Sequence, residues 1–323
     1  MQISIVTPVF NEAESIPAYW KAVSLLNCGK KTDFEVVVVN DGSSDFTMKV
    51  LKKLQNKSKI RLKIVDLKRN LGRSMARVAG ARVVINENIL FLDVRCEIFP
   101  DALKMIEKIN YSPINPLVLQ KKNSFFDLFF YIIRRAFYRK NFGEDFSEQF
   151  ITAENFDSMA KGTTMFYCEK KLFLESQPSN IENKNNSDDT ALLANIVKKR
   201  PILATSLVRC YYNTRSSFVA NVKHIFNRGP KFVDYYYKPS KRHFWLINLF
   251  FLLIFLLIYR MYLGLISLYG LASVFLVVDA FLALYVSRKL KEFFIFLFFF
   301  PIFSAVFFLG VMRGFTLKVL GEF

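Results

Sequence analysis

Acidic residues at three places border apolar runs and are placed for chemistry. Asp41 ends the run Phe34-Glu-Val-Val-Val-Val-Asn40 and opens Asp41-Gly-Ser-Ser-Asp45. A carboxylate there accepts hydrogen bonds from a base or ribose, and the glycine lets backbone approach a ligand. The same pattern also suits an ordinary strand-to-helix turn capped by Asp. Asp93 closes Asn88-Ile-Leu-Phe-Leu92, with Arg95 two residues on. Oxygen ligands of this kind suit hard divalent cations, and a guanidinium suits phosphate. Asp188 and Asp189 precede an apolar run at helical spacing. A carboxylate at that helix start can take a proton from an attacking hydroxyl, or simply cap the helix.

These positions need a scaffold that brings distant segments to one rim. Residues 3–9, 34–40, 60–67 and 88–93 read as strands, continuous in apolar residues, and 13–27, 46–56 and 72–86 read as the helices between them. Buried strands alternating with helices predict an α/β domain with a mostly parallel sheet covered on both faces. Ligands of such sheets bind beyond the C-terminal strand ends, where Asn11, Asp41, Asn70 and Asp93 fall. A further helix is expected over 189–199, and 177–187 is polar and loop-like.

The rest of the chain is of another kind. Hydrophobic residues make up 52% of 323, more than a soluble domain needs. The excess concentrates at about 244–260, 262–287 and 293–312, each near the length that crosses a bilayer. By these segments the chain divides into a domain over 1–235 and an all-α membrane region over 236–323. Basic residues before the first segment and at 288–291 place the larger domain in the cytoplasm. Pro301 is expected to kink the third segment, which either spans or re-enters. Residues 124–140 put a greasy face beside Arg134, Arg135, Arg139 and Lys140, fitting either an interfacial helix or a core helix with a basic end. Asp279, alone in an apolar segment, calls for a polar partner such as Ser267, Ser273 or Tyr285, or a lipid-phosphate role. A net charge of +18 suits an anionic partner, and the apolar tail favours lipid or phosphorylated substrates over nucleic acid. Cys28, Cys96, Cys168 and Cys210 lack metal-ligand spacing and read as reduced thiols. Residues 1–10 read as a strand rather than a signal peptide.

Ser4-Ile-Val-Thr-Pro-Val-Phe-Asn-Glu12, then Phe34 to Asp45, resemble the signature of family 2 glycosyltransferases with the GT-A fold, a Rossmann-like domain. Arg69-Asn-Leu-Gly-Arg-Ser-Met-Ala-Arg77, Leu92 to Leu103 and Ser187 to Leu193 resemble that family's later elements, in the same order, and the likeness covers about 1–235. The resemblance implies an inverting transfer of sugar from a nucleoside-diphosphate sugar, UDP-linked, to a lipid-linked acceptor at the bacterial inner membrane. The acceptor would be a glycan under construction for surface polysaccharide, or a polyprenyl phosphate. Thr7, Pro8, Phe10, Glu12, Asp41 and Arg69 would hold the nucleoside. Asp189 would be the base, with Asp188 beside it. The family's metal pair is Asp-x-Asp, binding Mg²⁺ or Mn²⁺; here Arg95 replaces the second Asp. Either the metal stays on Asp93, with help from Glu97, or Arg95 supplies charge to the diphosphate in its place. Arg228, in His224-Ile-Phe-Asn-Arg-Gly229, either binds phosphate or belongs to a basic rim at the membrane. The processive synthases' Gln-x-x-Arg-Trp is not present there. A non-catalytic sugar-nucleotide-binding protein is the remaining alternative.

Overall fold

Apolar β-branched runs separated by polar turns set the first strands. β1 (Gln2–Val9), β2 (Asp33–Asp41), β3 (Leu62–Leu67) and β4 (Asn88–Leu92) lie close to the expected positions, with α1 (Ile16–Ser24), α2 (Thr47–Lys57) and α3 (Arg73–Val83) between them. The computed structural model describes residues 1–27, 33–121, 124–138, 142, 146–179, 181, 183, 188–214, 217–265 and 267–322. Cys28, Arg139, Lys140 and much of 177–187 fall outside those residues.

The chain continues through β5 (Cys96–Ile98), α4 (Ala102–Ile109), β6 (Ile114–Gln120), α5 (Phe125–Phe137), β7 (Gln149–Ile151), β8 (Met165–Glu169), α6 (Lys170–Glu175), α7 (Asp188–Lys199) and β9 (Ile202–Tyr212). The strands form one sheet in the order β3-β2-β1-β4-β8-β6-β9-β5, with β7 also on β9. The β1–β4 half is parallel, as expected. The other half corrects that reading, because β8 runs antiparallel to both β4 and β6, and β5 and β7 run antiparallel to β9. The sheet is therefore mixed. Short strands without long crossover helices can pair this way.

Two compact units result. The first holds the nine strands with α1–α4, α6 and α7. Its core includes Ile3, Ile5, Val36, Val38, Leu90 and Leu92 from the central strands, with Ile16, Tyr19 and Leu51 from helices packed on them. Cys96, Cys168 and Cys210 are buried free thiols on its strands.

The second unit is built from α5, α8 (Phe218–Phe226), α9 (Arg228–Tyr236), α10 (Arg242–Tyr262), α11 (Leu268–Val286) and α12 (Leu290–Val319). α5, α8 and α9, which start before residue 236, group in this unit with the apolar helices. Phe129 and Ile132 of α5 are fully buried against Ala283, Ile295, Phe296 and Phe303. Arg135 donates to Glu292 Oε2 at 2.7 Å and to the Val286 carbonyl at 2.7 Å. α10, α11 and α12 are each long and apolar enough to cross a membrane. α12 runs on through Pro301 as a single helix. Asp279 is buried on α11, but neither carboxylate oxygen has a hydrogen-bond partner among the described residues. The hydroxyls of Ser267 and Ser273 serve the backbone of Gly270 and Tyr269 instead.

Candidate active site

The ends of β1 and β2 are laced together by their loops. Asn11 adopts a left-handed backbone (φ 52°), which its short polar side chain tolerates. Its N–H donates to Ser43 Oγ at 2.9 Å, and its Oδ1 accepts from the Ser44 N–H at 2.9 Å. The next N–H groups go to Thr47 Oγ1 and Asp45 Oδ2. Burial alone would push the Asp45 carboxyl's pKa up; hydrogen bonds from Thr47 and Ala13 outweigh it and hold it below the ordinary value.

Asp41 is buried, and both carboxylate oxygens accept backbone hydrogen bonds, from Leu71 at 2.7 Å and Gly72 at 2.9 Å. The Arg69–Gly72 loop thereby hangs from the end of β2. Gly42 makes this possible. At φ +67° it presses so close to the loop that a Cβ would stand 2.6 Å from the Arg69 carbonyl carbon. Gly42→Ala is expected to cost about 1–3 kcal/mol in strain. An unchanged thermal midpoint would show the loop to be freer than this packing allows.

α3 starts from that loop, and its first two turns carry Arg73 and Arg77. Arg73 Nη2 lies 2.6 Å from Asp189 Oδ2, and Arg77 Nη1 lies 2.7 Å from Asp189 Oδ1. Arg77 is buried, and its Nη2 donates to the Thr163 carbonyl. The neighbouring Thr164 carbonyl accepts the Asp93 N–H at 2.8 Å. Asp93 Oδ1 takes the Arg95 N–H at 3.0 Å, and Arg95 Nε donates to Glu12 Oε1 at 2.7 Å. Burial acts to lower the Arg95 pKa, but the hydrogen bond and charge of Glu12 more than offset it.

Hydrogen bonds and ion pairs, joined by short stretches of backbone, thus link Asp41 through the 71–73 segment to Asp189, Arg77 and Thr163, and through the adjoining Thr164 to Asp93, Arg95 and Glu12. Carboxylates distant in sequence are thereby tied into one network of hydrogen bonds and ion pairs. Phe10 is exposed beside them at the end of β1, and Arg69 is exposed on the hanging loop. Pro8 is half-buried. Thr7 points into the core, where its hydroxyl meets Tyr19 Oη at 2.6 Å. Glu97 is held by Lys121 at 2.6 Å and Asn213 at 2.7 Å. Asp188 opens α7. Arg228 opens α9 in the second unit.

A family model described as glycosyl transferase family 2 matches residues 4–169, just over half of the chain. The chain belongs to glycosyl transferase family 2. The match holds Asp41, Arg73, Arg77, Asp93 and Arg95 and stops short of Asp189. Among curated relatives of this family 2 chain, the dodecaprenyl-phosphate galacturonate synthase of Rhizobium johnstonii is 28% identical over 124 residues, 38% of this chain and 37% of its own length. A prophage bactoprenol glucosyl transferase homolog of Escherichia coli (strain K12) is 35% identical over 94 residues, 29% of this chain and 30% of its own length. The matched stretches thus span about a third of these relatives. The mannosyltransferase PcManGT from Pyrobaculum calidifontis, solved with GDP-Man and Mn²⁺, has a TM-score of 0.63 at 15% identity, covering 97% of this chain and 86% of its own. That likeness is one of fold, and the fold is GT-A.

Arg73 and Arg77 lie in the 69–77 segment, whose sequence gives neither a role. Their i, i+4 spacing, which puts two guanidinium groups on one helix face, is the signal that could have found them.

Proposed function

We propose that this chain transfers a sugar from a nucleoside-diphosphate sugar, UDP-linked, to a polyprenyl phosphate, with inversion at the anomeric carbon. The carrying observation is the clamp on Asp189. A general base needs an oxygen free to take a proton, yet both of these face guanidinium groups at 2.6 and 2.7 Å. An acceptor phosphate is already an anion and needs no base. Two arginines around one carboxylate also leave a net positive charge, which favours an anionic acceptor. The names of the relatives, built on dodecaprenyl phosphate and bactoprenol, support the same class.

In this reading an acceptor phosphate oxygen attacks the anomeric carbon while the bond to the nucleoside diphosphate breaks. Pro8, Phe10, Glu12 and Arg69 border the nucleoside, and Thr7 and Asp41 brace them from behind. Arg95 attracts phosphate. Asp188 and Asp189 position the acceptor end rather than take a proton. Among the described residues no three His, Cys, Asp or Glu side chains gather into a metal cage. One carboxylate still fits Mg²⁺ or Mn²⁺, since such ions are often bound by one or two carboxylates plus substrate phosphates. Asp93, with Oδ1 turned to its own loop, has Oδ2 for that purpose. Such an ion would neutralise the leaving diphosphate. The chain would sit in the bacterial inner membrane with its first unit in the cytoplasm.

The test is Asp189→Asn in purified protein, assayed with a panel of nucleotide sugars against polyprenyl phosphate and against lipid-linked glycans. Transfer to polyprenyl phosphate should fall less than about ten-fold and give an acid-labile sugar monophosphate lipid. A fall of about 10²–10⁴, typical of a lost general base, would return the chain to a hydroxyl acceptor, such as a growing lipid-linked glycan.

A further inference from the structure

Composition alone makes α12 the strongest membrane span of the chain, with mean hydropathy 2.6 against 2.2 and 2.0 for α10 and α11. Its contacts within the second unit point elsewhere. At its first turn Glu292 is gripped by Arg135 of α5, through Nη1 at 3.2 Å and Nη2 at 2.7 Å. In its middle Phe303 stacks on Phe129 of α5 at 5.2 Å between ring centres, and Phe218 of α8 stands 6.1 Å away. Further on, Gly310 abuts the backbone of Phe226, and a Cβ at Gly314 would lie 2.9 Å from Pro230 Cα. At its last turns Arg313 donates to Asn227 Oδ1 at 3.2 Å, Phe315 packs on Tyr237 at 4.6 Å, and Lys318 donates to the Tyr237 carbonyl at 2.7 Å.

Chain connectivity fixes where those partners can be. α5 lies between β6 and β7, so the first unit holds both of its ends. α8 and α9 follow β9 and precede α10. These helices have 13, 9 and 9 residues, about 20, 14 and 14 Å at 1.5 Å per residue. None can cross a hydrocarbon core of about 30 Å. All three therefore remain on the face of the membrane that holds the first unit. α12 touches α5 at one end and the α9–α10 junction at the other, so both of its ends lie on that face too. A crossing helix of about 45 Å would also drag Arg135, Lys223 and His224 into hydrocarbon alongside it.

We propose that α12 lies in the plane of the membrane on the catalytic side and does not cross it. Its covered face takes the Phe-rich surface of α5 and the backbones of α8 and α9. Its opposite face exposes Phe294, Phe298, Leu309 and Met312 at helical spacing, and this face rests on lipid acyl chains. Lys289 and Lys291 at one end and Arg313 and Lys318 at the other meet anionic headgroups. Only α10 and α11 remain to cross, which returns α12 to the side of the first unit.

The test is single-cysteine labelling of the full-length protein in a Cys28→Ser background, where the other native thiols are buried. Glu322→Cys, Lys49→Cys and Leu265→Cys report on the α12 end, the first unit and the α10–α11 turn. A membrane-impermeant maleimide is applied to intact spheroplasts and to inverted vesicles. Glu322→Cys and Lys49→Cys should label from the same side, in inverted vesicles only, at least ten-fold above spheroplasts. Labelling of Glu322→Cys from the face opposite Lys49→Cys overturns the proposal, whatever the turn at Leu265 does.

Discussion

Asp93→Asn should reduce sugar transfer by about 10²–10³ in kcat, the range seen when one group that stabilises a developing charge is removed. The substitution is nearly isosteric. The amide oxygen can still accept the Arg95 N–H that Asp93 Oδ1 now takes at 3.0 Å, and the backbone bond to Thr164 is unaffected. The thermal midpoint should therefore move little. What is lost is the negative charge that, in the proposed function, holds a cation on the diphosphate, beside a guanidinium paired with Glu12. The variant and the parent should also respond differently to added Mg²⁺ or Mn²⁺. A loss below ten-fold, with the same metal response in both, would mean that Arg95 rather than a cation on Asp93 carries the leaving group.

Arg77→Met should act on stability as well as on rate. Arg77 fills the space between α3, α7 and the loop before β8, and its side chain is 3% exposed. Methionine keeps much of the volume but gives up charged hydrogen bonds to Asp189 and to the Thr163 carbonyl. Bonds to charged groups contribute about 1.5–3 kcal/mol each. Arg73 remains to hold Asp189, so a net loss of about 2–3 kcal/mol is expected. For a unit of this size that lowers the melting midpoint by roughly 4–12 °C. Asp189→Asn made on top should cost much less than it does alone, because the partners are coupled. Additive losses in that cycle would show that Arg77 acts on the loop at Thr163 alone.

The first half of the fold was open to reading because its strands are buried on both faces. Val36 to Val39 form an uninterrupted apolar run, and such a run ends where the sheet ends, placing Asp41 at the rim. The second half resisted for the converse reason. β5 and β7 have three residues each, and β9 carries a register break between Pro116 and Leu117 of its partner β6, so no periodicity survives there. Asp41 and Asp93 are legible as strand-end carboxylates and Asp189 as a helix-start one. The hydrogen bonds that bury Asp41 under the 69–72 loop were not foreseeable, because the donors are backbone N–H groups that every residue carries. Nor was the fate of Arg135. A basic residue after a greasy run reads equally well as solvated or as paired, and its partner Glu292 stands 157 residues away.

That separation has a consequence for synthesis. At about 5–20 residues per second, the ribosome reaches Glu292 roughly 8–30 s after Arg135 has been made. Through that interval the aromatic side of α5 has emerged, yet the helix it will lie on does not exist. The nascent first unit must mature with an unfinished insertion projecting from it. α12 then closes an assembly begun some 157 residues earlier, so a chain cut short before residue 290 keeps every catalytic candidate but leaves α5 with no seat.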